Sequence, residues 1–440
     1  RADGEVLEIL CGIVCSALQH LANPRMRLIC LDMLEQMAPF APQAMILEQI
    51  VPYCHLLMTD QVAKVRARAI ASLPGVFSCV AELSPNDTGL FLEYLFPQLL
   101  SAMMDMSSEP VVLLAVARNI GALAQHALRL AELVADAPFR QGDCSSAVGE
   151  QEPMERGTSE PPFGSPPRPS LSVANDGSSA AAAEVEPFDV QWKHIREAVN
   201  KVVKALLEYL TAGGMQTVGP DRAGGETEGS AGQDIGKEVK ISLLRSMCTL
   251  AETFGRDGTH TFLLPYLISF MNDSAWEVRA AFCEEAASLP TRVGQVSTEG
   301  IIWPCYEQAL MDQEERVLQA ALRGLTTLVA QRVLRRQSLT NVVLKVAMLL
   351  VHPSPVVRDL TVDVIKAVGE QLNLVDQFVF IMPTIRPFLQ FELLSVDSID
   401  GALMPPLSRR TFKRALLRRD EELHKALLQR APLPGVAPGE

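Results

Sequence analysis

The sequence predicts an all-α chain in which pairs of helices repeat along one axis, and three observations predict it. The composition is 48% hydrophobic but only 5% aromatic, so the buried material is mainly Leu, Ala, Val, Ile and Met, which favour helix-on-helix packing. One arrangement recurs: LPYLISFMNDSAWEVRAAF places Pro265, Asp273, Val278 and Arg279 at the spacing at which VPYCHLLMTDQVAKVRARAI places Pro52, Asp60, Val65 and Arg66. WPCYEQALMDQEERVLQAAL repeats Pro304, Asp312 and Val317, with Leu318 where the arginine stood. The basic slot also returns with a steady period. It is 39 residues from Arg27 to Arg66, from Lys240 to Arg279 and from Arg279 to Leu318, and 40 from Leu318 to Arg358. Two helices per unit of about 40 residues is the signature of a HEAT-type α-solenoid, here of about seven to eight helix pairs with two disordered insertions.

Each slot has a physical task. The proline is expected in the first turn of the first helix of a pair, where its missing N–H breaks no hydrogen bond. The aspartate, at the turn into the second helix, is expected to accept hydrogen bonds from the free N–H groups that start that helix. The valine and the Ala and Leu residues after it recur at helical spacing and line the buried face. The basic residue is expected to reach the aspartate of its own or the next repeat, forming a ladder along the stack. The predicted ladder residues are Asp60, Arg66, Asp105, Lys240, Asp273, Arg279, Asp312 and Arg358. Leu113 and Leu318 in basic slots, and His352 in an acidic slot, are expected to break it.

The repeats divide into two blocks, 1–136 and 237–400. Residues 137–188 are rich in Pro, Gly and Ser and read as a disordered insertion. Residues 189–210 read as an amphipathic helix of the interrupted repeat, and 211–236 as a glycine-rich loop. Residues 401–440 hold a basic helix, SRRTFKRALLRRDEELHKALLQR, and a linker. The expectation there is a solvated helix, with an anionic membrane or RNA as the alternative contact.

A net charge of −13 argues against a chain that works mainly by covering nucleic acid or an anionic membrane. Nine cysteines, never spaced C-x-x-C, fit reduced thiols in a cytosolic protein, and Cys11 and Cys15 read as core. No apolar run is expected to reach the roughly 18 to 20 residues that cross a bilayer. The start RADGEVLEIL has no initiator Met and no signal-type segment, and reads as a piece of a longer polypeptide. Enzymatic motifs are absent or spoiled. GQDIGKE at 232–238 lacks the spacing and the Ser/Thr of a phosphate-binding loop and reads as loop. GTSEP at 157–161 has Pro161 where a nucleophile elbow needs glycine. No G-x-G-x-x-G, H-R-D or D-F-G set is present, and the seven histidines form no metal-ligand pattern. The reading therefore contains no catalytic residue, no cofactor and no metal. Trp192, Trp276 and Trp303 sit near helix starts as anchors, Trp192 being the best candidate for a partner contact.

In LPYLISFMNDSAWEVRAAF, in the preceding LAETFG, in ARNIGALAQHALRLAELV at 117–134 and in LSRRTFKRAL, the chain resembles the central helical region of the vacuolar-protein-sorting regulatory subunits of class III phosphatidylinositol 3-kinase. The resemblance runs through most of residues 5–420. It implies a parent with a serine/threonine kinase-like domain before this region and a WD-repeat propeller after it. It also implies two partners, the lipid-kinase catalytic subunit and a beclin-type coiled-coil subunit, on endosomal or autophagic membranes. A HEAT scaffold of another complex, such as a phosphatase regulatory subunit or a transport adaptor, shares the Pro, Asp and Val-Arg slots and is the alternative.

Overall fold

The computed structural model describes residues 2–83, 89–104, 109–142, 188–211 and 228–418, and its helices come in pairs. The first four pairs are α1 (Ala2–His20) with α2 (Pro24–Met37), α3 (43–57) with α4 (Ala63–Ser78), α5 (90–104) with α6 (Pro110–Gly142), and α7 (Phe188–Thr211) with α8 (228–254). Three more follow: α9 (256–271) with α10 (Trp276–Ala286), α11 (295–309) with α12 (Glu315–Ala330), and α13 (Arg336–Val346) with α14 (Pro355–Gln371). Helix α15 (374–385) opens an eighth unit, and α16 (409–418) follows a loop. Among the described residues the only bridge of β type joins Leu389 and Leu403. The fold is an α-solenoid of the HEAT kind.

The second helices form a continuous row: α2 packs on α4, α4 on α6, α6 on α8, α8 on α10, α10 on α12 and α12 on α14. Helix α12 shows why. Val317, Ala321, Leu322, Leu325, Leu328 and Val329 recur at helical spacing and are fully buried, each large one contributing about 1.5–3 kcal/mol. The row stays unbroken across the interrupted repeat, where Ser246 Oγ donates to the Ala117 carbonyl at 2.6 Å. Gly255, at φ 65° and ψ −172°, turns the chain out of α8 into α9, a conformation open essentially to glycine alone.

Four expectations are corrected. The prolines do not lie in a first turn: α3 begins at Gln43, well before Pro52. Each is instead inside its helix and preceded by a single π turn. Val51 donates its N–H to Ile46 O, Phe96 to Phe91 O, Leu264 to Thr259 O, Trp303 to Thr298 O and Met382 to Gln377 O, just before Pro52, Pro97, Pro265, Pro304 and Pro383. A proline ring clashes with the carbonyl four residues back, and the wider turn admits it. Helix α13, with Leu344 in that slot, has no such turn.

The insertions are shorter than predicted. Helix α6 runs on to Gly142 and helix α8 begins at Glu228, so 137–142 and 228–236, including GQDIGKE, are helical. Ile235 packs on the core and holds this first part of α8. Residues 143–187 and 212–227, which hold most of both insertions, lie outside the described residues, as do Asp105 and 419–440. Within α6, Pro110–Ala135 is long and apolar enough to cross a bilayer by length and composition, contrary to expectation. Its apolarity serves the row: Val112, Leu113, Val116, Ile120 and Leu123 are fully buried where α6 lies between α4 and α8.

Close approach within the row makes one glycine decisive. A Cβ on Gly324 of α12 would collide with the Cys283 carbonyl of α10 and lie 2.6 Å from Tyr306 Oη, whose hydroxyl donates to that same carbonyl. Gly324→Ala is expected to cost about 1–3 kcal/mol by overpacking, measured by chemical denaturation. Gly12→Ala, with open space around it in α1, should instead be neutral or stabilising by about 0.5–1 kcal/mol.

Candidate functional site: the repeat ladder and its C-terminal substitute

Three ladder pairs are present among the described residues, and each joins one repeat to the next. Arg27 pairs with Asp60, Lys240 Nζ reaches Asp273 Oδ2 at 2.6 Å, and Arg279 takes Asp312 in a fork of 2.6 and 2.9 Å. The arginines also tie down their own turns. Arg66 Nη1 donates to Asp60 O at 2.8 Å, and Arg279 Nη1 to Asp273 O at 2.9 Å. Asp105, the acid one repeat after Arg66, lies outside the described residues.

The aspartates do not cap the first turn of the second helix as expected. Each accepts the N–H two residues on: Val62 to Asp60 at 2.8 Å, Ala275 to Asp273 at 2.9 Å and Glu314 to Asp312 at 2.9 Å. That is an Asx turn placed just before the cap. The other carboxylate oxygen is thereby turned toward the preceding repeat. Burial alone pushes the Asp312 carboxyl up, but the bonds from Arg279 and from the backbone of Glu314 and Gln313 outweigh it and leave it below the usual carboxylate range. The Arg279 guanidinium is raised, first by its bond to Asp312.

Arg358 is not a rung. It makes no ion pair among the described residues, and its Nε is buried without a hydrogen bond. The chain after α15 enters a 3-10 turn and a loop, so no aspartate turn follows to receive it. The break at Leu318 and His352 is a single replacement. Leu318 is buried in α12, and His352 occupies the next acidic turn, where its Nδ1 accepts the Ser354 N–H at 3.1 Å as the aspartates accept theirs. Burial pushes the His352 pKa down, with Arg409 adding to the effect, against the opposing pull of Glu315. The ring also packs edge-on against Phe412 of α16, 4.8 Å between centroids, which docks that helix on the last complete pair.

A second set of cross-repeat pairs escaped the sequence reading. Lys237 meets Glu277, Arg245 meets Glu285 and Arg292 meets Glu252, and Arg68 bridges Asp32 and Glu35. Opposite charges 40 residues apart, as in Lys237 and Glu277, were the available signal. Trp192 lies under the Arg196 guanidinium, Trp276 under that of Arg316, and Trp303 is buried. Cys11 and Cys15 are core, their Sγ atoms 4.0 Å apart, and burial pushes the Cys15 thiol up to about 12. Among the described residues no group of His, Cys, Asp or Glu has the arrangement to hold a metal ion.

These side chains hold repeats together, and comparison with known proteins identifies the repeats. The family model "PIK3R4-like, middle domain" matches residues 10–416. The chain belongs to this family. It is 25% identical over 424 residues to a protein named probable serine/threonine-protein kinase vps15 from Dictyostelium discoideum, covering 93% of this chain and 19% of that one. It is 28% identical over 424 residues to the serine/threonine-protein kinase VPS15 of Arabidopsis thaliana, covering 94% of this chain and 25% of that one. The PIK3R4-like middle domain thus spans a quarter or less of these relatives. A crystal structure of a Kap121p mutant is similar over 87% of this chain and 36% of that one, at 14% identity and a TM-score of 0.38.

Two predictions come from the ladder. Asp312→His alone takes the acid from the half-buried Arg279, which keeps its bonds to the Asp273 and Ser274 carbonyls, and is expected to cost about 1–3 kcal/mol. Adding Arg279→Leu, which copies the natural Leu318 and His352 pair, should recover a large part of that loss in a double-mutant cycle; an additive result would show that the two natural departures are unrelated. A neutral His352 favours docking of α16. Because its folded pKa lies below that of the unfolded chain, this stabilisation is present above about pH 6.5 and declines as acid protonates the unfolded state first. Amide hydrogen exchange of 409–418, corrected for intrinsic rates, should accelerate on going from pH 7.5 to about 5.5, and His352→Asn should flatten that dependence.

Proposed function

We propose that this chain is the non-catalytic helical scaffold segment of the regulatory subunit of a class III phosphatidylinositol 3-kinase complex. The observation that carries the reading is the family match across residues 10–416, on a fold whose recurring charged side chains serve contacts between repeats. In this reading the kinase chemistry named in the relatives belongs to a kinase-like domain elsewhere in the parent polypeptide. The array then acts as a spacer of fixed register that holds the lipid-kinase catalytic subunit and a beclin-type subunit together. Attachment to endosomal or autophagic membranes comes through the complex. The slots alone would equally suit a phosphatase regulatory subunit or a transport adaptor; the family match favours the lipid-kinase complex.

Affinity purification of the tagged chain from cells that express the lipid-kinase subunits tests this. The expected result is recovery of the catalytic and beclin-type subunits, and no turnover of ATP or phosphoinositide by the isolated chain. Turnover by the isolated chain, or recovery of a phosphatase catalytic subunit in place of the lipid-kinase subunits, would overturn the reading.

A further inference from the structure

We propose that the groove between α13 and α16 is a docking site for an acidic amphipathic helix of a partner protein. The site goes beyond the scaffold role and does not depend on which complex the array serves. Its walls are preformed. Ser408 caps α16, its Oγ accepting the Thr411 N–H. Phe412 is buried against His352, and Leu407 N–H is bonded to Val351 O at 3.0 Å. Between the docked helix, α13 and the turn after α15 lies a cavity of about 640 Å³. Leu344, Met348, Phe388 and Ala415 give it an apolar lining, and Arg414 and Arg418, one turn apart on α16, stand along it.

Charge selects the occupant. Helix α16 carries Arg409, Arg410, Lys413, Arg414 and Arg418 with no acid among residues 409–418, all five exposed. None of the five makes an ion pair among the described residues, whereas many cations of the repeats, such as Lys345 and Lys366, do. The whole chain bears a net charge of −13, so this is a local inversion of sign that attracts an anionic partner. A groove with an apolar lining and cations along one wall matches a helix with apolar residues at i, i+3, i+4 and i+7 flanked by Asp or Glu. The shape decides against a lipid surface, because the apolar residues line a concavity between elements, whereas a flat bilayer meets a convex apolar face.

The test pans a displayed library of helical peptides, unbiased in charge, on the intact 440-residue chain. The variants Arg414→Glu with Arg418→Glu, which reverses two exposed charges, and Ala415→Trp, which fills the groove, are used for counter-screening. Circular dichroism confirms that both remain folded. Enrichment of acidic peptides with an apolar stripe, whose affinity drops about tenfold or more in both variants, is the expected result. Failure to enrich any peptide, enrichment of basic ones, or binding that the tryptophan leaves intact would each overturn the proposal. So would sedimentation with vesicles of phosphatidylcholine and phosphatidylserine that the charge reversal abolishes while no peptide binds.

Discussion

A helix pair that is apolar on both of its broad sides cannot bury either by itself, and this requirement orders the whole molecule. The second helices meet in one uninterrupted file, and where their backbones come nearest the side chains shrink, to Gly324 against Cys283 and to Ser246 against Ala117. The ladder is subordinate to that packing. Its rungs lie at turns already half-closed by neighbouring helices, where a charge without its partner costs about 1–3 kcal/mol. The pairs therefore set which residue of one repeat lies beside which residue of the next, while dispersion and apolar burial supply most of the cohesion.

The period was legible because every repeat solves the same problem with the same residues at the same offset. Lys240, Asp273, Arg279 and Asp312 stood out as slot residues because they lie inside complete repeats, while the offset alone left open whether a cation reaches the acid of its own or of the next repeat. Arg358 could not be excluded, since whether it is a rung depends on the turn that follows α15, and that turn departs from the pattern. The prolines were placed one or two turns too early in their helices: the π turn that admits them has no residue signature, and AMILEQIVPYCHLL is apolar across it. Glycine content hid the first turns of α8, which are held from outside by packing at Ile235 and by the Lys237 and Glu277 pair. Helix α6 shows the reverse limit, because a central element of a solenoid and a membrane span are both apolar nearly all round, and only the neighbours distinguish them.

Charge is distributed according to the same logic. Within the array many cations answer an acid one unit away, as Lys237, Lys240, Arg279 and Lys345 do, so part of the charge of the repeats is spent on their own stacking. Surface pairs such as Arg118 with Glu238 add little each, and they fix register more than they add stability. Helix α16, which is not a repeat helix, differs: its exposed cations make no ion pair among the described residues.

Leu318 and His352 connect these observations. Losing an arginine alone would strand a largely buried carboxylate, and losing an aspartate alone would strand a half-buried guanidinium, so the low-cost path removes both. Histidine is a fitting replacement at the turn because Nδ1 can accept the Ser354 N–H that a carboxylate oxygen accepts elsewhere, so the backbone of the turn is kept. What changes is the side that faced the preceding repeat: an anion becomes a neutral ring, and the ring takes the edge of Phe412. The rung that would have continued the ladder is thereby turned into a seat for α16. In the next basic slot Arg358 makes no ion pair among the described residues, and Glu392, one period beyond His352, pairs with Arg386 instead.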